Sequence, residues 1–117
     1  FVSCAPNDRE RTKLAALLAL LTNPPTRVFD GSLSLMDLAS VIAGAALHFG
    51  GDSGAMHLAL MANVKMVGWY RQYDGLPDWM PDGPNAAILV GNTHDSNGIQ
   101  GITAPALLDA AASLLAI

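Results

Sequence analysis

The sequence predicts an α/β fold, a parallel sheet with helices on both faces. Three observations predict it. Short apolar runs alternate down the chain with longer segments of helical period. The short runs are continuously apolar, as in strands buried on both faces. Helix-start signals follow them: Asn7 has Glu10 three residues on, and Ser34 has Asp37, the spacing of a capping box. Right-handed crossovers then place every strand-to-helix turn on one edge of the sheet, where open α/β sheets bind ligands.

Each element has a local reason. Phe1 to Ser3 reads as a strand end, and Cys4 to Asn7 as a turn through Pro6. Asn7 or Asp8 caps a first helix whose stripe is Leu14, Leu17, Leu18 and Leu21. Pro24 and Pro25 stop it. Arg27-Val28-Phe29 is a short strand, and Asp30-Gly31-Ser32 a turn. The helix capped at Ser34 buries Leu35, Leu38, Val41, Ile42 and Ala45, with Leu33 and Leu38 as a staple and Gly44 at its end. A strand over 46–50, a helix over 53–62 closed by Asn63, and a strand over 65–70 follow. Residues 71–85 are turn-rich and aromatic, a long surface loop with room for one helical turn. Ala86 to Val90 is a strand and 91–101 a second loop. Thr103 caps a last helix with Leu107, Leu108, Ala111, Leu114 and Leu115 as its apolar positions.

Composition narrows the function. Half of the 117 residues are apolar and 14% are charged, so the chain packs as one domain over 1–117. Net charge is −4 and the six cations are scattered, which argues against a nucleic-acid partner. A bound phosphate would be held mainly by backbone donors. Cys4 is the single cysteine, so a disulfide framework or a cysteine metal cluster is excluded; this fits a reducing compartment. No apolar run has the length of a membrane span. Phe1 starts in mid-strand, so a piece of a longer protein is expected.

The central stretch is Leu47-His48-Phe49-Gly50-Gly51-Asp52-Ser53-Gly54-Ala55-Met56-His57-Leu58-Ala59. A strand breaks at glycine and opens a helix. The first N–H groups of a helix have no internal partner, and its dipole favours an anion there. Read blandly, Asp52 or Ser53 merely caps the helix. Other residues have bland readings too. Asp8 reads equally well as a plain cap. His48 reads as a satisfied sheet-face histidine and Cys4 as a small buried residue. His94-Asp95 reads as solvated loop, and Trp69, Tyr70, Tyr73 and Trp79 as packing under the long loop.

Gly51-Asp52-Ser53-Gly54-Ala55-Met56-His57 resembles the D-[ST]-G-x-x-H signature of glycosyltransferase family 9, the heptosyltransferases of lipopolysaccharide core synthesis. Leu33 to Ala39 with Ile42 to Ala45 is similar to the family's preceding helix. Cys4 to Arg11 is similar to its earlier strand-to-helix turn. The resemblance runs from Phe1 to about Tyr70. Residues 71–102 depart from it, with Tyr70-Arg71-Gln72-Tyr73 where the family has a Gly-Pro-Thr-[DE] turn.

The resemblance implies a GT-B fold of two Rossmann-like domains, of which this chain is the C-terminal, donor-binding one. It implies that Asp52 contacts the donor sugar. It places the diphosphate on the Ser53-Gly54-Ala55 backbone, with His57 beside it, an acidic Asp8 on the ribose and Leu33 on the base. The partners implied are a nucleotide-diphosphate sugar (ADP-heptose by default), a glycan or lipid-linked acceptor, and the chain's own N-terminal domain, which carries the catalytic base. No cofactor or metal is implied. The implied location is cytoplasmic, with peripheral work at the inner membrane. Physical chemistry agrees: a carboxylate beside a diphosphate is useful only if it accepts from sugar hydroxyls, and a phosphate favours the charged form of an imidazole.

Two other classes are weighed. Gly-Asp-Ser-Gly also surrounds the nucleophile of trypsin-like proteases, but those are all-β, and a G-x-S-x-G elbow needs glycine where Ala55 stands. A non-catalytic nucleotide-binding or regulatory Rossmann-like module is the runner-up, since such folds serve both ends.

Overall fold

A computed structural model describes residues 1–92 and 98–116. His94 and Asp95 lie outside the described residues. All described strands pair in parallel, and helices separate them except between the last two, which a loop with one 3₁₀ turn joins; this is the α/β arrangement expected. The chain divides into two compact units, Phe1–Leu38 and Ala39–Ile117.

In the first unit β1 (Val2–Ser3) leads into α1 (Asp8–Leu20), and β2 (Val28–Phe29) pairs with β1. Asn7 is the cap: its Oδ1 accepts from the Glu10 amide at 2.9 Å. The reciprocal half of the capping box does not form: the Asn7 amide donates to the Ala5 carbonyl at 2.8 Å, and the Glu10 carboxylate takes the Lys13 ammonium at 3.0 Å. Of the expected leucine stripe only Leu14 is buried, Leu18 is half-buried, and Leu17 and Leu21 are exposed. A two-stranded ladder offers too little surface to cover four leucines. The turns after β1 and β2 touch. Arg11 Nε donates to the Asp30 carbonyl at 2.9 Å. Gly31, at φ +94°, lies so close that a Cβ would stand 2.6 Å from Pro6 Cα. Cys4 is half-buried.

Helix α2 (Leu35–Ala43) runs across the division. Ser34 Oγ accepts from the Asp37 amide at 3.1 Å, as the capping pattern requires. Ile42 is buried and Leu38, Val41 and Ala45 half-buried, but Leu35 is exposed, contrary to expectation. It stands in the opening turn, before the buried stripe begins.

The second unit is built on β3 (His48–Gly51), β4 (Met66–Tyr70) and β5 (Ala86–Val90), in the order β3-β4-β5. The central strand forms the core: Met66, Val67 and Tyr70 are essentially inaccessible. Helix α3 (Gly54–Met61) joins β3 to β4. It ends in a Schellman motif, with the Asn63 amide on the Leu60 carbonyl and the Val64 amide on that of Ala59. Asn63 takes the left-handed conformation, φ 55°, that glycine usually occupies there. A single 3₁₀ turn, Leu76–Asp78, interrupts the long loop and buries Leu76, whereas Trp79 is 65% exposed and does not pack under the loop.

Thr103 caps α4 (Ala104–Leu115), accepting from the Ala106 amide. Leu114 is buried and Leu107 and Ala111 half-buried, but Leu108 and Leu115 are exposed, because the face this helix buries is narrower than five apolar residues. Lys65 Nζ donates to the Leu114 carbonyl at 2.8 Å. Among the described residues no helix is long and apolar enough to cross a membrane.

Candidate site at the β3–α3 turn

Gly51 pairs with Trp69 near the end of β4, so the chain leaves β3 at the C-terminal edge of the ladder. Ser53 holds the N-cap position in extended backbone, φ −160° and ψ 167°, yet its side chain makes no capping bond. Asp52 is exposed and its carboxylate has no hydrogen-bond or ion-pair partner among the described residues. The simple capping role is therefore not what these side chains perform. The Met56 amide turns back to the Ser53 carbonyl at 3.1 Å. The amides of Gly54 and Ala55 have no partner among the described residues, as expected for a helix start. A Cβ at Gly54 would meet nothing within 4 Å, so the space beside its Cα is open.

The turn thus brings together a carboxylate, a hydroxyl that makes no capping bond and two amides without a partner among the described residues, on the positive end of a helix dipole. His57 follows in the first turn and a half, half-buried.

Alternation along β4 sets what lies beneath. Trp69 faces one side, where its ring meets Phe49 edge-on at 5.1 Å. Gly68 faces the other, where a Cβ would run into the Met56 methyl of α3. Tyr70, two residues on, shares the face of Gly68 and lies one pleat nearer the start of α3. It is wholly buried, and its hydroxyl has no partner among the described residues. Burial, then the Asp52 charge, then Tyr73 push this phenol up from its ordinary value. His48 occupies the same face with its ring against Gly50. Burial lowers its pKa, and Nε2 is also unpartnered among the described residues, so it is a sheet-face histidine but not a satisfied one.

Asp8 and Leu33 belong to the first unit. Asp8 is the first residue of α1, one past the cap, and fully exposed; Arg11 reaches it at 3.4 Å, a contact worth little in open solvent. Leu33 is half-buried after β2. Both follow parallel strands and so share an edge of that unit. Asp52, Ser53, Gly54, Ala55 and His57 share one turn of the second.

The sequence places Tyr70 under the long loop; its burial on the α3 face was missed, because an apolar run does not show what a phenol meets. The usable signal was its parity with Gly68, two positions before it in the strand that follows the motif helix. A small cleft lined by Asn63, Asp82 and Asn85 opens at the other, N-terminal, ends of β4 and β5, away from this turn.

The family model described as glycosyltransferase family 9 (heptosyltransferase) matches residues 1–98. The match runs past Tyr70, where the resemblance was expected to end, and takes in the aromatic loop. No curated protein and no solved structure gives a match.

Proposed function

The chain belongs to glycosyltransferase family 9, and on that premise we propose that it is the donor-binding part of an enzyme moving a sugar, by default heptose, from a nucleotide diphosphate to a lipopolysaccharide or related glycan. The observation that carries this reading is the start of α3: two amides without a partner among the described residues, open space at the Gly54 Cα, and a carboxylate with no hydrogen-bond or ion-pair partner among the described residues. Ser53, Gly54 and Ala55 hold the diphosphate through backbone N–H groups, with His57 alongside. Asp52 accepts from sugar hydroxyls. Asp8 serves the ribose and Leu33 the base. The acceptor and the catalytic base belong to an N-terminal domain.

As the glycosidic bond to the donor phosphate breaks, the leaving diphosphate gains charge. Fixed N–H dipoles aimed at it stabilise that state more than the ground state. This chain contributes charge stabilisation and orientation, and deprotonation of the acceptor lies elsewhere. Alone, it binds nucleotide weakly and transfers nothing. Exposed dipole contacts contribute about 0.3–1 kcal/mol each, so a dissociation constant on the order of millimolar is expected.

An NMR titration of the chain with ADP, UDP and ADP-heptose tests the reading. Shifts centred on the Gly54 and Ala55 amides are expected. Shifts confined to other elements, or sugar transfer by this chain alone, would overturn it.

A further inference from the structure

We propose that Tyr70 is a positioning residue for Asp52: when a donor sugar is bound, the buried Tyr70 hydroxyl donates to the Asp52 carboxylate and fixes it for a sugar hydroxyl. This rests on the donor-binding reading above.

The argument begins with an accounting problem. A buried hydroxyl without a partner is costly, and native chains rarely keep one without a use. Among the described residues Tyr70 Oη is such a group. It is sealed from solvent, so a ligand atom does not reach it directly, and the acceptor that satisfies it comes from the protein. Strand parity puts Tyr70 on the α3 side of the sheet, under the turn that carries Asp52. The register continues this relation. Gly51 pairs with Trp69, so the next residues along the two strands are Asp52 and Tyr70. Asp52 itself is exposed and unpaired, free to turn either way.

The chemistry of the pair is complementary. Burial and the neighbouring carboxylate keep the phenol protonated, so it is a donor at all working pH values. An ionised carboxylate only accepts and has two oxygens. One oxygen takes the Tyr70 proton and the other takes a hydroxyl of the sugar. In the bound complex the carboxylate is held from below, so its second oxygen faces the sugar in one direction and the bond to the sugar is directional. The pair therefore acts on the sugar and not on the nucleotide.

The test compares wild type with Tyr70→Phe, which removes one oxygen and keeps the ring. Thermal unfolding is expected to be unchanged or slightly raised, since an unsatisfied group is lost. Affinities for ADP-heptose and ADP are measured side by side by NMR titration. The variant is expected to lose about three- to tenfold of its preference for ADP-heptose over ADP, the size of one hydrogen bond. A preference equal to wild type overturns the proposal and leaves the donor-binding reading standing. Equal weakening for both ligands also overturns it, because Tyr70 would then act on the phosphates or the fold.

A second arm tests the route through Asp52. In an Asp52→Asn background, Tyr70→Phe is expected to cost no further preference for ADP-heptose over ADP. A further loss as large as in the wild-type chain overturns the proposal. A wild-type chain that binds neither ADP nor ADP-heptose overturns the donor-binding reading, and with it this one.

Discussion

Met56 of α3 rests on Gly68 of β4: a methyl group at Gly68 would stand 2.7 Å from Met56 Cε and 2.8 Å from Ile88 Cδ1. The bare glycine sets how closely α3 lies on the sheet, and so the height of the Asp52–Ala55 turn above Tyr70. Both obstructing atoms are ends of flexible side chains, so Gly68→Ala will fold. It is expected to cost about 1–3 kcal/mol by overpacking, read as a lower melting temperature by circular dichroism. An unchanged melting temperature would show that α3 is free to lift.

Gly54→Ala makes the opposite case. Nothing lies within 4 Å of the added methyl, and Gly54 is not at positive φ. Alanine is also the better helix former, by up to about 1 kcal/mol. Stability should hold or rise, while nucleotide affinity falls because the methyl occupies ground the phosphate needs. Retained affinity in a calorimetric titration would move the anion away from this amide.

Asp52→Asn keeps size and removes charge. Asp52 is exposed and makes no hydrogen bond or ion pair with a described residue, so melting should shift by less than about 0.5 kcal/mol. Transfer assayed in the assembled enzyme should drop at least about tenfold, because a charge-assisted hydrogen bond to a sugar hydroxyl is worth about 1.5–3 kcal/mol. Full activity would leave Asp52 without a role in transfer.

His48 gives the fold a pH dependence. Its pKa is lowered by burial in the folded chain, while the unfolded chain keeps the ordinary value of 6.5. Below 6.5 the unfolded chain binds the proton first, so stability is full above that pH and falls as pH drops toward the folded-state value. The slope from this one group stays below about 1.4 kcal/mol per pH unit. Urea melts from pH 7.5 to 5 should show the loss, and His48→Gln should flatten it. An unchanged slope in the variant would assign the effect to other groups.

Caps and turns were legible because their signals are local. Asn7, Ser34, Thr103 and the left-handed Asn63 all act through partners a few residues away. The Asp52-Ser53-Gly54 turn was legible for the same reason: a strand, two glycines and a helix start are adjacent in the chain. Burial was less so. Leucines such as Leu17, Leu35 and Leu108 carry the right period, yet period says only which face points inward and not how much surface waits there. Tyr70 and His48 were hidden for a third reason. Whether a buried polar atom finds a partner depends on residues from other strands, and no spacing rule records that.

In the ladder that carries the turn, each strand pairs with the next one in the chain, β3 with β4 and β4 with β5. This bears on the order of assembly. Closing a longer loop costs only about 0.6 kcal/mol per doubling, but the first closure available here is β3–α3–β4. That closure alone sets α3 over Gly68 and places Asp52 beside Tyr70. The contacts that shape this turn therefore come from one β-α-β unit, with the aromatic loop, β5 and the last helix outside it. Hydrogen exchange should find its β4 amides among the slowest in the chain.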